Sequence, residues 1–172
     1  MTPESNNPNV AGKNTRRDAR ELALRMLYQL DIGHQPLNEV MDAALAQSHL
    51  DEKNRAFAQD LVEGALGHKD MIDSKVTALA TDWAMDRQAA VDRNILRLAA
   101  YELLYCPESP VAAVVNEAVE LAKKYSTAES GGFVNGVLGA LARQPRGTSE
   151  SIPDMPTSDE NPPQYSFEQD GH

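Results

Sequence analysis

The stretch from Asp92 to Tyr105, DRNILRLAAYELLY, limits the fold more than any other part of the chain. On a helical wheel Val91, Ile95, Leu98, Ala99 and Tyr105 take one side, and Leu96, Ala100, Leu103 and Leu104 cover most of the other. A helix apolar nearly all round has no face to give to water, so it belongs at the centre of a bundle. It is far too short for a membrane span, and Arg93, Arg97 and Glu102 interrupt it. Glu102 falls among apolar positions, where an unpaired charge is very costly, so the reading requires a partner for it. The rest of the chain must supply amphipathic helices to wrap this one.

The composition agrees. Ala, Leu, Glu and Arg dominate, aromatics make up only 5% of the 172 residues, and runs of Val, Ile, Thr and aromatics are missing, which predicts one all-α domain. The lone Cys106 forms no internal disulfide and suits a reducing compartment. With no segment resembling a signal peptide or a membrane anchor, the expectation is a cytoplasmic protein that does not enter membranes.

A net charge of −10 argues against nucleic-acid binding by the whole surface. The charge is unevenly spread, however. Six acidic residues against one basic lie from Gln144 to His172, while Lys13, Arg16, Arg17 and Arg20 form the one evident basic cluster. Residues 1–14, with Pro3, Pro8, Gly12 and several asparagines, read as a flexible arm, and residues 144–172 as a disordered acidic tail rich in Pro and Ser. The ordered domain is expected at 15–143.

Within it, Thr15 is a plausible N-cap for a helix over Arg16 to Ile32, closed by Gly33. Its buried stripe is Ala19, Leu22, Ala23, Met26, Leu27 and Leu30, and Arg20, Leu24 and Tyr28 form an i, i+4 row directed away from that stripe. Basic residues at a helix start oppose its dipole, so they are not there for helix stability. A short helix follows Pro36, and a third begins at Asp51 with a break expected near Gly64 and Gly67. Trp83 reads as a plug over the core and Asp86 as a cap for the central helix. Ser109 and Pro110 open a helix burying Val111, Val114, Val115, Ala118, Ala122 and Tyr125. Ser126 or Thr127 caps the last helix, with Phe133, Val134, Val137, Leu138 and Leu141 inward. Its glycines, Gly131, Gly132, Gly136 and Gly139, suggest close approach of another backbone or a ligand.

Catalytic chemistry finds no foothold. His34, His49, His68 and His172 show no metal-ligand spacing, and no nucleophile elbow, P-loop or dinucleotide fingerprint is present. No cofactor is expected. Binding is better supplied: arginines at a helix start can neutralise phosphates, and single-stranded RNA is read by guanidinium planes and aromatic rings, of which Phe133 is a candidate. The competing reading makes Arg16 to Arg20 a solvated face and Phe133 core. The Leu24 and Tyr28 row is either a protein contact or an internal seam.

The strings RRDARELALRMLYQLD, VDRNILRLAAYELLY, PVAAVVNEAVELAKKY and FVNGVLGALAR together resemble the NusB family of bacterial transcription antitermination factors, across about Arg16 to Arg143. The resemblance implies six to seven helices in two three-helix sub-bundles. It also implies binding of the boxA element of nascent ribosomal RNA together with the small-subunit ribosomal protein NusE, within RNA polymerase elongation complexes containing other Nus factors. By motif match, Lys13, Arg16, Arg17, Arg20, Glu129 and Phe133 are the implied RNA-binding residues, gathered at one end of the bundle, and Leu24 and Tyr28 the implied NusE contacts. The free chain would self-associate through the face that NusE covers. Asp18 interrupts the arginine run, and Gly131 and Gly132 stand where other members carry polar or basic side chains. The alternative is a stand-alone RNA-binding domain related to the N-terminal part of ribosomal RNA cytosine methyltransferases. A helix-turn-helix DNA regulator or a helical adaptor is a weaker third, since no basic recognition helix is present.

Overall fold

The computed structural model describes residues 14–80 and 88–144. Lys13, Trp83, Asp86 and all of the expected tail except Gln144 lie outside them. Among the described residues every regular element is a helix: α1 (Arg16–Ile32), α2 (Leu37–Gln47), α3 (Glu52–Gly67), α4 (Lys69–Leu79), α5 (Ala90–Tyr105), α6 (Val111–Tyr125) and α7 (Ala128–Arg143). None is long and apolar enough to cross a membrane.

Local chemistry sets most of the boundaries. Thr15 caps α1, Asp51 caps α3 by accepting from the Asn54 N–H, and Thr127 caps α7 by accepting from the Ser130 N–H, each satisfying a donor that the first turn leaves unpaired. α6 begins at Val111, as expected, but with Pro110 rather than Ser109 in the capping position. The break expected at the glycines of α3 occurs just after Gly67, where the chain turns into α4.

α5 is the hub. It packs against α1, α3, α4, α6 and α7, and from Asn94 to Leu103 every residue is buried, as an all-round apolar helix requires. On one side α1 is backed by α2 and α3; on the other α6 and α7 pair along their length. Gly64 lets α3 come close to this hub, because a Cβ there would fall inside the Tyr101 ring. Tyr101 in turn stacks near His68 and Tyr105.

Polar ties fix α1 against α5 in antiparallel register. Arg20 near the start of α1 meets Glu102 near the end of α5, and Asp31 at the end of α1 meets Arg93, with Nε to Oδ2 at 2.6 Å, and Asn94 at 2.9 Å. Arg97 extends the second tie to α4 through two bonds to Asp73 at 2.8 and 2.9 Å. Asn14, expected in the flexible arm, is instead held by Asp51 and Asn54 at the start of α3. Two residues expected inward on α6, Val111 and Tyr125, are exposed. Tyr125 turns outward because its hydroxyl serves Glu21 on α1.

Candidate nucleic-acid interface

At the start of α1 the interruption at Asp18 has a structural purpose. Its carboxylate accepts from the Thr15 N–H at 2.9 Å while the Thr15 hydroxyl side receives the Asp18 N–H, a reciprocal capping box. A carboxylate in the first turn also offsets the arginines' unfavourable interaction with the helix dipole. The three arginines then take three different environments.

Arg16 lies on the surface with its guanidinium 4.0 Å above the Phe57 ring of α3, a cation–π contact that holds the cation flat. Arg17 is exposed and grips Glu117 of α6 through Nε and Nη2, both at 2.9 Å. That hydrogen-bonded carboxylate raises the Arg17 pKa further above its ordinary value. Arg20 is buried, and its Nε and Nη2 reach Glu102 at 2.9 and 2.5 Å. This is the partner that Glu102 required. The outward row expected for α1 is therefore corrected at two positions. Arg20 turns into the core toward α5, and Leu24, only 4% exposed, joins the core, whereas Tyr28 at 37% does face outward. A wheel drawn for one apolar stripe misses this, because α1 is covered by α3 on one side and by α5 on the next.

Further along, α1 and α6 run in parallel. Glu21 accepts from the Tyr125 hydroxyl and from Lys124 Nζ at 3.0 and 3.1 Å, with Arg25 at 3.3 Å. Burial pushes the Glu21 pKa up, but those hydrogen bonds and the two cations outweigh it and hold the carboxyl below its ordinary value. Beside this cluster Leu24, Arg25, Tyr28, Gln29, Val91 and Tyr125 line a mainly apolar groove of about 310 Å³. Buried Leu24 forms part of its wall, so the contact reading and the seam reading of that row meet at one place.

Glu129 and Phe133 lie elsewhere. With Asp92, Thr127 and Ser130 they line a hollow of about 300 Å³ at the start of α7, which the Ser130 hydroxyl ties to Asp92 at 2.8 Å. Glu129 is exposed and Phe133 half-buried. The expectation that they gather with the arginines at one end is corrected. Asp92 is ten residues of α5 away from the Glu102 that holds Arg20, about 15 Å of helix rise. Val91 of the groove is the chain neighbour of Asp92 in the hollow. Among the described residues no other element comes within 4 Å of the Cβ position at Gly132, Gly136 or Gly139, while Gly131 lies against Lys123.

The NusB family profile matches residues 17–143. The chain belongs to the NusB family. A curated NusB transcription antitermination protein of Heliobacterium modesticaldum is 42% identical over 132 residues, covering 77% of this chain and 64% of that protein. Among solved structures, NusB of T. maritima superposes with a TM-score of 0.70 at 34% identity, covering 77% of this chain and 93% of that one. NusB in a complex of the antitermination factors NusB and NusE with dsRNA gives 0.68 at 31% identity, covering 74% and 95%. The NusB fold is thus the all-α bundle described above.

Sequence reasoning missed the parts played by Phe57, Glu117, Glu21 and Lys124. Phe57 was legible only as an apolar position of α3. The Arg17–Glu117 and Glu21–Lys124 contacts join residues about a hundred positions apart, for which a single sequence carries no local signal.

Proposed function

We propose that this chain is a transcription antitermination factor that binds boxA-type single-stranded RNA together with ribosomal protein NusE, and acts on RNA polymerase elongation complexes that carry other Nus factors. The reading is supported by family membership and by the solved NusB–NusE–dsRNA complex, in which a relative is found with NusE and with RNA, there double-stranded. The observation that carries it is the arrangement of α1. Its start presents Arg16 and Arg17 to solvent, and about three turns on, the same helix presents Tyr28 beside an apolar groove. In this reading Arg16 and Arg17 contact phosphates and Lys13 adds charge. Glu129 and Phe133 form a second RNA contact, and Tyr28, backed by Leu24, meets NusE. Arg20 contributes by fixing α1 through Glu102. The protein acts by binding, without catalysis, in the cytoplasm. The free chain self-associates through the Tyr28 groove until NusE covers it.

The test is RNA affinity of the purified full chain with and without NusE, against boxA-type single strands, the same sequence as duplex RNA, and duplex DNA. The expected result is tightest binding of the single strand and a gain on adding NusE. Equal, weak binding of all three nucleic acids in both conditions would overturn the reading.

A further inference from the structure

Within the arginine-rich start, carboxylates of the same chain already occupy two of the three guanidinium groups. The Glu102 carboxylate is sealed in the core with Arg20, so no external anion reaches that pair. The Arg17 pair differs. Its guanidinium is largely in solvent, whereas Glu117 is largely covered, so the arginine can swing away while the carboxylate stays. The two parallel bonds from Nε and Nη2 to the two Glu117 oxygens are also the pattern by which arginine grips a phosphate. Other acids near Arg17 are engaged elsewhere: Asp18 serves the Thr15 cap, and Glu120 faces Lys123 at 3.7 Å.

We propose that Glu117 sets how tightly this surface holds RNA: its carboxylate stands in for a backbone phosphate on Arg17, and an incoming phosphate displaces it. The proposal rests on the RNA-binding reading above and adds an affinity-determining residue to it. In the free protein the pair is neutral, so Arg17 attracts RNA weakly at a distance. On binding, the phosphate replaces an internal partner, and part of the electrostatic gain is spent breaking that pair. Replacing Glu117 with Gln keeps the shape, removes the competing charge and leaves a full positive charge at Arg17.

The experiment is a salt titration of boxA-type single-stranded RNA binding, with NusE present, for the full-length chain and its Glu117→Gln, Arg17→Ala and doubly substituted forms. Thermal melting checks that each is folded. Glu117→Gln is expected to bind about three- to tenfold tighter at low salt, with a salt slope steeper by about 0.7. The gain is expected to vanish in the Arg17→Ala background. Unchanged or weaker binding by Glu117→Gln would overturn the proposal, because Glu117 would then only hold Arg17 in place. A gain that survives Arg17→Ala would also overturn it, as an effect of overall charge. A wild-type chain that binds no RNA removes the functional reading itself and this proposal with it, whereas intact wild-type binding with an unresponsive Glu117→Gln removes the proposal alone.

Discussion

Arg17 and Arg20 stand one turn apart on α1, and each holds a glutamate through the same two nitrogens. Depth separates them. The side chains of Arg17 and Glu117 are 63% and 15% exposed, those of Arg20 and Glu102 only 10% and 1%. A surface pair adds little to stability, since water and salt compete with it. Breaking a buried pair by removing one member strands a charge in the core and costs about 3–5 kcal/mol. One sequence motif therefore contains a structural bolt and an exchangeable contact, and composition cannot tell them apart.

The sharpest way to break this comparison is Glu102→Ala, which should destabilise the fold by about 3–5 kcal/mol in urea or thermal unfolding. A loss under about 1 kcal/mol would mean that water reaches Arg20. Next, replacing Arg20 and Glu102 together with leucine should recover most of that loss, because no charge is then left unpaired. Unfolding of the doubly substituted protein measures it directly. A smaller effect belongs to Asp31, whose pair with Arg93 is intermediate in depth, at 18% and 19% exposure. Burial raises the Asp31 pKa, but hydrogen bonds from Arg93 and Asn94 and the charges of Arg93 and Arg97 outweigh it, so the carboxyl titrates below its ordinary value. The sign follows from that depression. Its stabilisation is present above the unfolded-state pKa of about 4 and is lost as pH falls through the lower folded value. Asp31→Asn should therefore reduce stability at neutral pH and flatten the acid limb of the stability curve. Smallest is Arg17→Ala, expected to leave the unfolding midpoint nearly unchanged, since water and salt already compete with that pair. With Glu117 in place the same substitution should change the salt slope of RNA binding little, whereas in the Glu117→Gln chain it should lower the slope by about 0.7. A large loss of stability there would place Arg17 with Arg20.

Much of the fold was legible because its causes are local. Thr15, Asp51 and Thr127 cap the helices they precede, and the apolar surround of α5 announces a hub. Glu102 was legible as a charge in need of a partner, although its partner was not: Arg20 is 82 residues away and shares a row with Tyr28, which does face out. Leu24 was misjudged for the same reason, since a helical wheel shows which positions share a side and not how many sides are covered. Tyr28 and the exposed Arg16 and Arg17 lie where the sequence put them. The distance between the arginine start and Phe133 was hidden because it depends on which end of α5 each helix meets.

Being tied to α5 near both of its ends has a kinetic consequence for α1. Any slide of this helix by one turn, about 5.4 Å, would break the Arg20–Glu102 and Asp31–Arg93 ties at once. The helix is thus barred from acting as a moving lever. Events at Arg17 are confined to rotation of a surface side chain, on the picosecond-to-nanosecond scale, while the rod that carries it stands still.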